Sequence, residues 1–441
     1  MLRRKIYDSI LEWKKAKNGT CLLIKGARQV GKTYIIRKFG EDNYKNTVYI
    51  NFDIDEDLKS AFDGNLNVDH ITMLLSGLRT GFKFEEGSTL LILDEIQNCP
   101  RARTALKAFA VDGRYDVIAS GSLLGVNLKK VPSFPVGYET DMTLRPLDFE
   151  EFVWGMGLDE KVIEEVKSCI SEKTPLSAPL MKAMTDLFDQ YMIIGGMPKA
   201  VTTFIEKKDF NLAADVVKNI LSVTKSDIAT YSSASDRVKT RACLDSIPAQ
   251  LTKTNKKFVY ADVMEGNNPS TRKYAGNLLW LYEAGLIEYC YNLKQPTFPL
   301  ESNMFIDSFK VYMSDTGMLM NMYPVETRRS ILLKHPSVNK GGVTENVVAD
   351  AIAASGRRLY YMHNGRREID FIVQLGEEIA AMEVKSGKDR TSRTLDNMAK
   401  EKGPITRFIK LEDGDIRVDE NGVEHYPLFT AGFIDSMCKK E

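Results

Sequence analysis

Residues Gly26-Ala27-Arg28-Gln29-Val30-Gly31-Lys32-Thr33 constrain this chain more than any other stretch. They fit G-x-x-x-x-G-K-[ST] at every fixed position, and each position has a physical reason. Gly26 and Gly31 permit backbone angles that a Cβ would forbid, so successive N–H groups can turn inward around a phosphate. Lys32 brings a point charge to the outer phosphates, and the Thr33 hydroxyl suits Mg²⁺. An apolar strand-length run, Thr20 to Lys25, precedes the loop, and a helical pattern from Tyr34 to Phe39 follows it. The helix N-terminus adds a favourable dipole for an anion. The setting predicts an ATP site contacted by Gly26 through Thr33 and by Tyr34.

Such a site needs a carboxylate for the metal. Thr89-Leu90-Leu91-Ile92-Leu93-Asp94-Glu95 is an apolar run that ends in two acids. Runs of this kind belong to strands buried on both faces. Asp94 is predicted to hold Mg²⁺ with Thr33, and Glu95 to polarise the attacking water as general base. Tyr115 to Ala119 reads as a further strand, ending in Ser120-Gly121-Ser122. Ligands of open α/β sheets sit at that carboxyl edge, which makes Ser120 and Ser122 catalytic sensor candidates beside Lys32 and Glu95. The alternative for both serines is a simple turn with a helix cap. Thr47–Phe52 and Met142–Arg145 supply two more strands, and the alternation of strands with helices predicts an α/β fold on a parallel sheet.

The chain has 441 residues, too many for one core. Its 60 basic and 60 acidic residues balance, which argues against a protein that coats nucleic acid by bulk charge. Six scattered cysteines form no C-x-x-C pair, so neither a zinc site nor a disulfide framework is indicated. Free thiols fit a cytoplasmic location. No apolar run approaches membrane-spanning length, so no membrane partner is expected. Leu2, Ile6, Ile10 and Trp13 predict an amphipathic helix that packs on its own domain.

The domain reading has four parts: a P-loop domain over 1–152, a helical lid over 153–235, a winged-helix-like domain over 236–325 and an α/β domain over 326–441. The lid pattern is broken near Pro175, at Pro179 and at Gly195-Gly196-Met197-Pro198. The third part rests on helices at Arg241–Thr252 and Ser270–Ala284, followed by a strand from Gly285 to Tyr291. Arg272, Lys273 and Tyr274 open its second helix, where groove contacts with DNA would be made. A protein-contact role fits the mixed charge as well.

The last part carries a second constellation. Arg367–Val373 and Ile379–Lys385 read as two strands joined at Gly376. Glu383 and Lys385, two apart, share a face, and Asp370 can face them across the hairpin. With Glu345 on an upstream helix, these residues suggest a metal-dependent site for phosphodiester cleavage. The bland alternative is a surface hairpin with an ordinary salt bridge. Lys388, Arg390 and Arg393 follow the Lys385-Ser386-Gly387 turn as a basic cluster suited to phosphates or to a solvated helix start.

These residues together resemble the predicted bacterial and archaeal ATPases of the AAA+ type that end in a domain of unknown function. The signs are the G-x-R-Q-x-G-K-T loop, Leu93-Asp94-Glu95-Ile96-Gln97, Ser120-Gly121-Ser122, Pro146 to Phe152, Gly195-Gly196-Met197-Pro198, Tyr312 to Gly317, and Asp370 with Glu383-x-Lys385. The resemblance implies an ATPase core, a helical and winged-helix middle and a restriction-endonuclease-like, PD-(D/E)xK C-terminal domain. Many relatives carry Gly-Arg before the last core strand, whereas Gly137 here is followed by Tyr138. Arg101, Arg103, Arg114 and Arg145 remain as arginine-finger candidates.

The leading expectation is an Mg²⁺-dependent ATPase of the AAA+/STAND-like class whose nucleotide state is coupled to the nuclease-like domain, with ATP and ADP as ligands. The alternatives are an ATP-gated DNA-processing nuclease, and a nucleotide switch or scaffold that acts through a protein partner or self-association.

Overall fold

The computed structural model describes residues 2–122, 137–231, 234–263, 271–333, 340–365, 367–386, 392–401 and 403–438. Of the residues singled out above, Ser270, Gly387, Lys388 and Arg390 lie outside the described residues. The chain forms two compact units.

The first unit is Arg3–Arg145 with Glu283–Gly285. Its five strands are β1 (Cys21–Gly26), β2 (Asn46–Asn51), β3 (Thr89–Asp94), β4 (Asp116–Ser122) and β5 (Glu139–Leu144), in the order β2-β3-β4-β1-β5. Every pairing is parallel. All six residues of β3 are buried, which explains its unbroken apolar run. Helices α1 (Lys5–Ala16), α2 (Lys32–Asn43), α3 (Val68–Leu78) and α4 (Pro100–Asp112) accompany the sheet. Leu23, Ile50, Leu91, Leu93 and Val117 pack with Ile71 and Leu75 of α3 and Leu106 and Phe109 of α4 in one cluster. Each such side chain, fully buried, contributes roughly 1.5–3 kcal/mol. Ile10 and Trp13 of α1 are buried, as the amphipathic pattern predicts.

The second unit is Met1–Leu2, Pro146–Tyr282 and Leu286–Glu441. Its sheet has eight strands among the described residues: β6 (Ile287–Leu293), β7 (Met304–Met313), β8 (Leu359–His363), β9 (Glu368–Leu375), β10 (Glu378–Val384), β11 (Arg407–Glu412), β12 (Arg417–Val418) and β13 (Glu424–Pro427). The order is β12-β13-β11-β10-β9-β8-β6-β7, with β6–β8, β10–β11 and β11–β13 parallel and the rest antiparallel. The β6–β7 hairpin thus continues into the sheet that carries Asp370 and Glu383, through a pairing that no local pattern announces.

Helix Gly341–Ala354 is buried along nearly all of its length. It packs on β6, β7, β8 and β10, and also on residues 316–322 and 428–437. Such a helix has no polar stripe, and its polar residues must find partners inside. The Asn346 amide does so on the end of β7, accepting from Met313 N at 2.8 Å and donating to Met313 O at 3.0 Å.

The helices of residues 149–231 also belong to the second unit. Pro179 stands in the first turn of helix Ala178–Ile194 and starts it, whereas the sequence pattern predicts a break there. Gly195 and Gly196 end that helix against Asp315, whose carboxylate accepts from Gly196 N at 2.6 Å and Met318 N at 2.7 Å. Burial pushes the Asp315 carboxyl up to about 6 despite these bonds.

Candidate nucleotide site and a buried acidic cluster

The loop between β1 and α2 holds the first site. Gly31 has φ +95° at the start of α2, a conformation that a side chain resists. Gly26 has a different reason. A Cβ there would run into the Leu144 carbonyl of β5 and meet Val30 Cγ2 at 3.1 Å, so the position demands space and not a special angle. Gln29 takes φ +65° without being glycine, a local strain inside the loop. Arg28, Gln29, Thr33 and Tyr34 are exposed, while Val30 and Lys32 are buried. Lys32 Nζ donates to the carbonyls of Gly26 (3.1 Å) and Ala27 (2.9 Å). Burial pulls the Lys32 ammonium below its ordinary range, and Glu95 and Asp94 work against that.

Asp94 is the centre of the arrangement. Its Oδ2 accepts from Thr33 Oγ1 at 2.8 Å and from Tyr49 OH at 2.8 Å. Its Oδ1 accepts from Ser120 Oγ and from Glu95 N, the latter at 3.1 Å. Four elements meet here because β4 lies between the loop strand and β3 at one sheet edge, with Gly26 in register with Ser122 and Asn51 with Asp94. Ser120 therefore orients the acid, and Ser122 is buried beside the loop's first glycine. Glu95 follows in a left-handed conformation, φ +54°, and its Oε2 accepts from Gln97 Nε2 at 2.5 Å. Burial lifts the Glu95 carboxyl above the ordinary range, with Gln97 and Lys32 opposing.

Tyr49 was missed by sequence reasoning. Burial and Asp94 push its phenol up to about 12, so it stays a donor to the carboxylate at neutral pH. Arg4 was missed as well. It is buried, and it donates to Val30 O in the loop at 3.1 Å and to Arg145 O at 2.6 Å. An arginine ahead of a helix carries no sequence signal for this role. Three finger candidates have partners inside the unit. Arg101 donates to the Phe62 and Gly64 carbonyls, Arg103 to Glu139, and Arg114 to Asp112 and Asp69.

The second site lies in the C-terminal unit. The β9–β10 pairing brings Asp370 next to the Glu383 end of β10, and helix Gly341–Ala354 brings Glu345. Asp370 Oδ2 accepts from Val384 N at 2.9 Å, and Lys385 pairs with Glu383 at 2.8 Å. The expected residues do gather, but an unexpected one joins them. Lys310 of β7, with none of its surface exposed, sits 3.2 Å from Glu368 Oε1 and 3.8 Å from both Glu345 Oε2 and Asp370 Oδ1. Lys256 pairs with Glu345 Oε1. Burial raises Asp370 to about 8, helped by Glu345 and Glu383. Burial also acts on Glu345, but Lys310 and Lys256 outweigh it and keep that carboxyl low. Among the described residues, no three His, Cys, Asp or Glu side chains converge as ligands for one metal ion.

Other sequence expectations fall as follows. Arg272 and Lys273 lie in the first turn of helix Thr271–Glu283, but Tyr274 is buried, stacked on Tyr260, and offers nothing to a DNA groove. Among the described residues, no helix is long and apolar enough to cross a membrane.

Residues 18–153 match a family model described as an AAA domain. Residues 185–329 and 340–428 match models of two domains of unknown function, DUF8612 and DUF4143. No curated protein matches the chain. Among solved structures, the Walker-type ATPase of Pyrococcus abyssi is 14% identical, with 73% of this chain and 96% of that chain covered and a TM-score of 0.45. The Orc1 protein of Aeropyrum pernix in complex with DNA is 11% identical, covering 76% and 93%, with a TM-score of 0.30. A STAND protein with a tetratricopeptide repeat sensor from Pyrococcus horikoshii is 15% identical, covering 80% and 48%, with a TM-score of 0.26. Likenesses this weak carry no argument. The match over residues 18–153, with the loop and parallel sheet, makes the N-terminal unit a P-loop domain of the AAA type.

Proposed function

We propose that this chain binds ATP with Mg²⁺ at residues 26–34 and hydrolyses it, as an ATPase of the AAA+/STAND-like class. The observation that carries the reading is the convergence on Asp94 of Thr33 Oγ1 and Tyr49 OH, each at 2.8 Å, with Ser120 on the other oxygen. A hydroxyl and a carboxylate are the hard oxygen donors that Mg²⁺ prefers, so Thr33 and Asp94 fit the ion. When bound, Mg²⁺ would neutralise charge on the β- and γ-phosphate oxygens. Backbone N–H groups of Ala27 to Thr33 would cradle the phosphates, and Lys32 would move from its loop carbonyls to them. Glu95, next to Asp94 on the backbone, would take the proton of the attacking water, its carboxylate aimed by Gln97. Tyr49 and Ser120 hold Asp94 in one rotamer, so the metal ligand is fixed before substrate arrives.

We further read residues 153–235 as helical, 236–325 as winged-helix-like and 326–441 as nuclease-like. The shared sheet of β6 to β13 supports a single body for the last two. Binding is tested by titrating ATP with Mg²⁺ into wild type and Lys32→Ala in a calorimeter. Saturable binding that Lys32→Ala weakens at least tenfold supports the proposal. Equal affinities would move the nucleotide away from this loop.

A further inference from the structure

Lys310 has no part in the ATP site and no precedent in the sequence pattern around it. It lies on β7 and is completely buried. Taking an ammonium out of water costs several kcal/mol unless carboxylates surround it. Three do: Glu368 at 3.2 Å, and Glu345 and Asp370 at 3.8 Å each. The Tyr361 ring centroid lies 5.0 Å away and adds a cation–π contact. A divalent ion bridging the same carboxylates would need their oxygens at about 2.0–2.6 Å, in the space the ammonium fills.

Most of the remaining oxygens also have partners. Glu345 Oε1 takes Lys256, and its Oε2 accepts from Tyr312 OH at 3.1 Å. Asp370 Oδ2 holds Val384 N–H. Glu383 Oε1 pairs with Lys385 at 2.8 Å, and its buried Oε2 has no hydrogen-bond partner among the described residues. A nuclease-like site would instead leave two carboxylates turned toward one open position, with the lysine beside it.

We propose that Lys310 serves as the chain's own cation at this cluster, in place of a divalent metal, so the cluster is a closed ionic core and not a metal-dependent phosphodiesterase site. The proposal does not rest on the ATP site or on turnover there. It is at odds with the metal chemistry that a nuclease-like fold implies, and the lysine explains why.

The test is a Mn²⁺ titration of the full chain without nucleotide, with free Mn²⁺ followed by electron paramagnetic resonance. Any binding at the P-loop is common to all variants. Wild type and Asp370→Asn should bind equal Mn²⁺. Lys310→Met should bind about one more ion per chain, and Lys310→Met/Asp370→Asn should lose it again. Added Mn²⁺ should raise the melting temperature of Lys310→Met and leave that of the double variant unchanged. An ion bound by wild type and lost in Asp370→Asn would overturn the proposal. So would a folded Lys310→Met that gains none. If Lys310→Met does not fold, the comparison of wild type with Asp370→Asn still decides. Plasmid DNA incubated with wild type and Mn²⁺ adds a further arm: it should stay intact, and nicking abolished by Asp370→Asn would overturn the proposal.

Discussion

Gly196→Ala should be among the most damaging single-methyl additions in the second unit. The Gly196 carbonyl accepts from Leu147 N at 2.7 Å, and its own N–H donates to Asp315 Oδ2 at 2.6 Å. A Cβ on Gly196 would overlap the Leu147 carbonyl oxygen and lie 2.7 Å from Leu147 N and 2.9 Å from Leu147 C. All three are backbone atoms, so no side chain can rotate away. Relief requires the two segments to separate, which breaks both hydrogen bonds. A stranded buried backbone group costs about 1–3 kcal/mol, and a lost bond to a carboxylate about 1.5–3 kcal/mol. The sum is about 2.5–6 kcal/mol, a large share of the stability of most domains. Gly276→Ala is the control. Gly276 is exposed in helix Thr271–Glu283 with nothing within 4 Å of the added carbon. There alanine should stabilise by about 0.5–1 kcal/mol through helix propensity and reduced unfolded-state entropy. Urea unfolding followed by tryptophan fluorescence measures both. A Gly196→Ala midpoint equal to wild type, or a Gly276→Ala midpoint lower than that of Gly196→Ala, would refute the packing argument.

Two further outcomes follow from the first unit. Arg4→Ala removes one buried and one part-buried bond from a guanidinium, to the loop and to the end of β5, so thermal unfolding should show a loss of about 2–4 kcal/mol, with weaker ATP binding in calorimetry; unchanged values for both would deny Arg4 its role in holding the loop. Burial lifts the Glu95 carboxyl above its ordinary 4.5, so its contribution to stability is full below pH 4.5 and lost as pH rises through the raised value. Glu95→Gln should therefore be more stable than wild type at neutral pH, with the gap closing toward acid in melting curves; a gap that ignores pH contradicts the shift.

Much of the first unit was legible because its signals are local. The loop spacing, the apolar run of Thr89–Leu93 and the Ser120-Gly121-Ser122 edge each lie within one strand–turn segment, and parallel α/β topology then brings them together. The meaning of Gly26 was only half legible, since its neighbour Leu144 is distant in sequence. Tyr49 and Arg4 act through single hydrogen bonds from other elements, and neither sits in a pattern. The acidic cluster follows the same rule. Asp370, Glu383 and Lys385 share a hairpin and could be paired from alternation alone. Lys310 stands on a strand three places from β9 in the sheet, and Lys256 lies beyond any regular element. Sequence reasoning therefore found the carboxylates and missed the cation that balances them.

We propose that Asp94 and Glu95 divide the work at this loop, Asp94 as a ligand of the metal and Glu95 as the base toward the water. The most direct test is phosphate release by wild type and Glu95→Gln with Mg²⁺ and ATP, with ATP affinity measured on the same preparations. The expected result is ATP affinity within about threefold of wild type and turnover reduced at least a hundredfold, about 2.7 kcal/mol of transition-state stabilisation. Turnover unchanged in Glu95→Gln would contradict the assignment of Glu95 as the base.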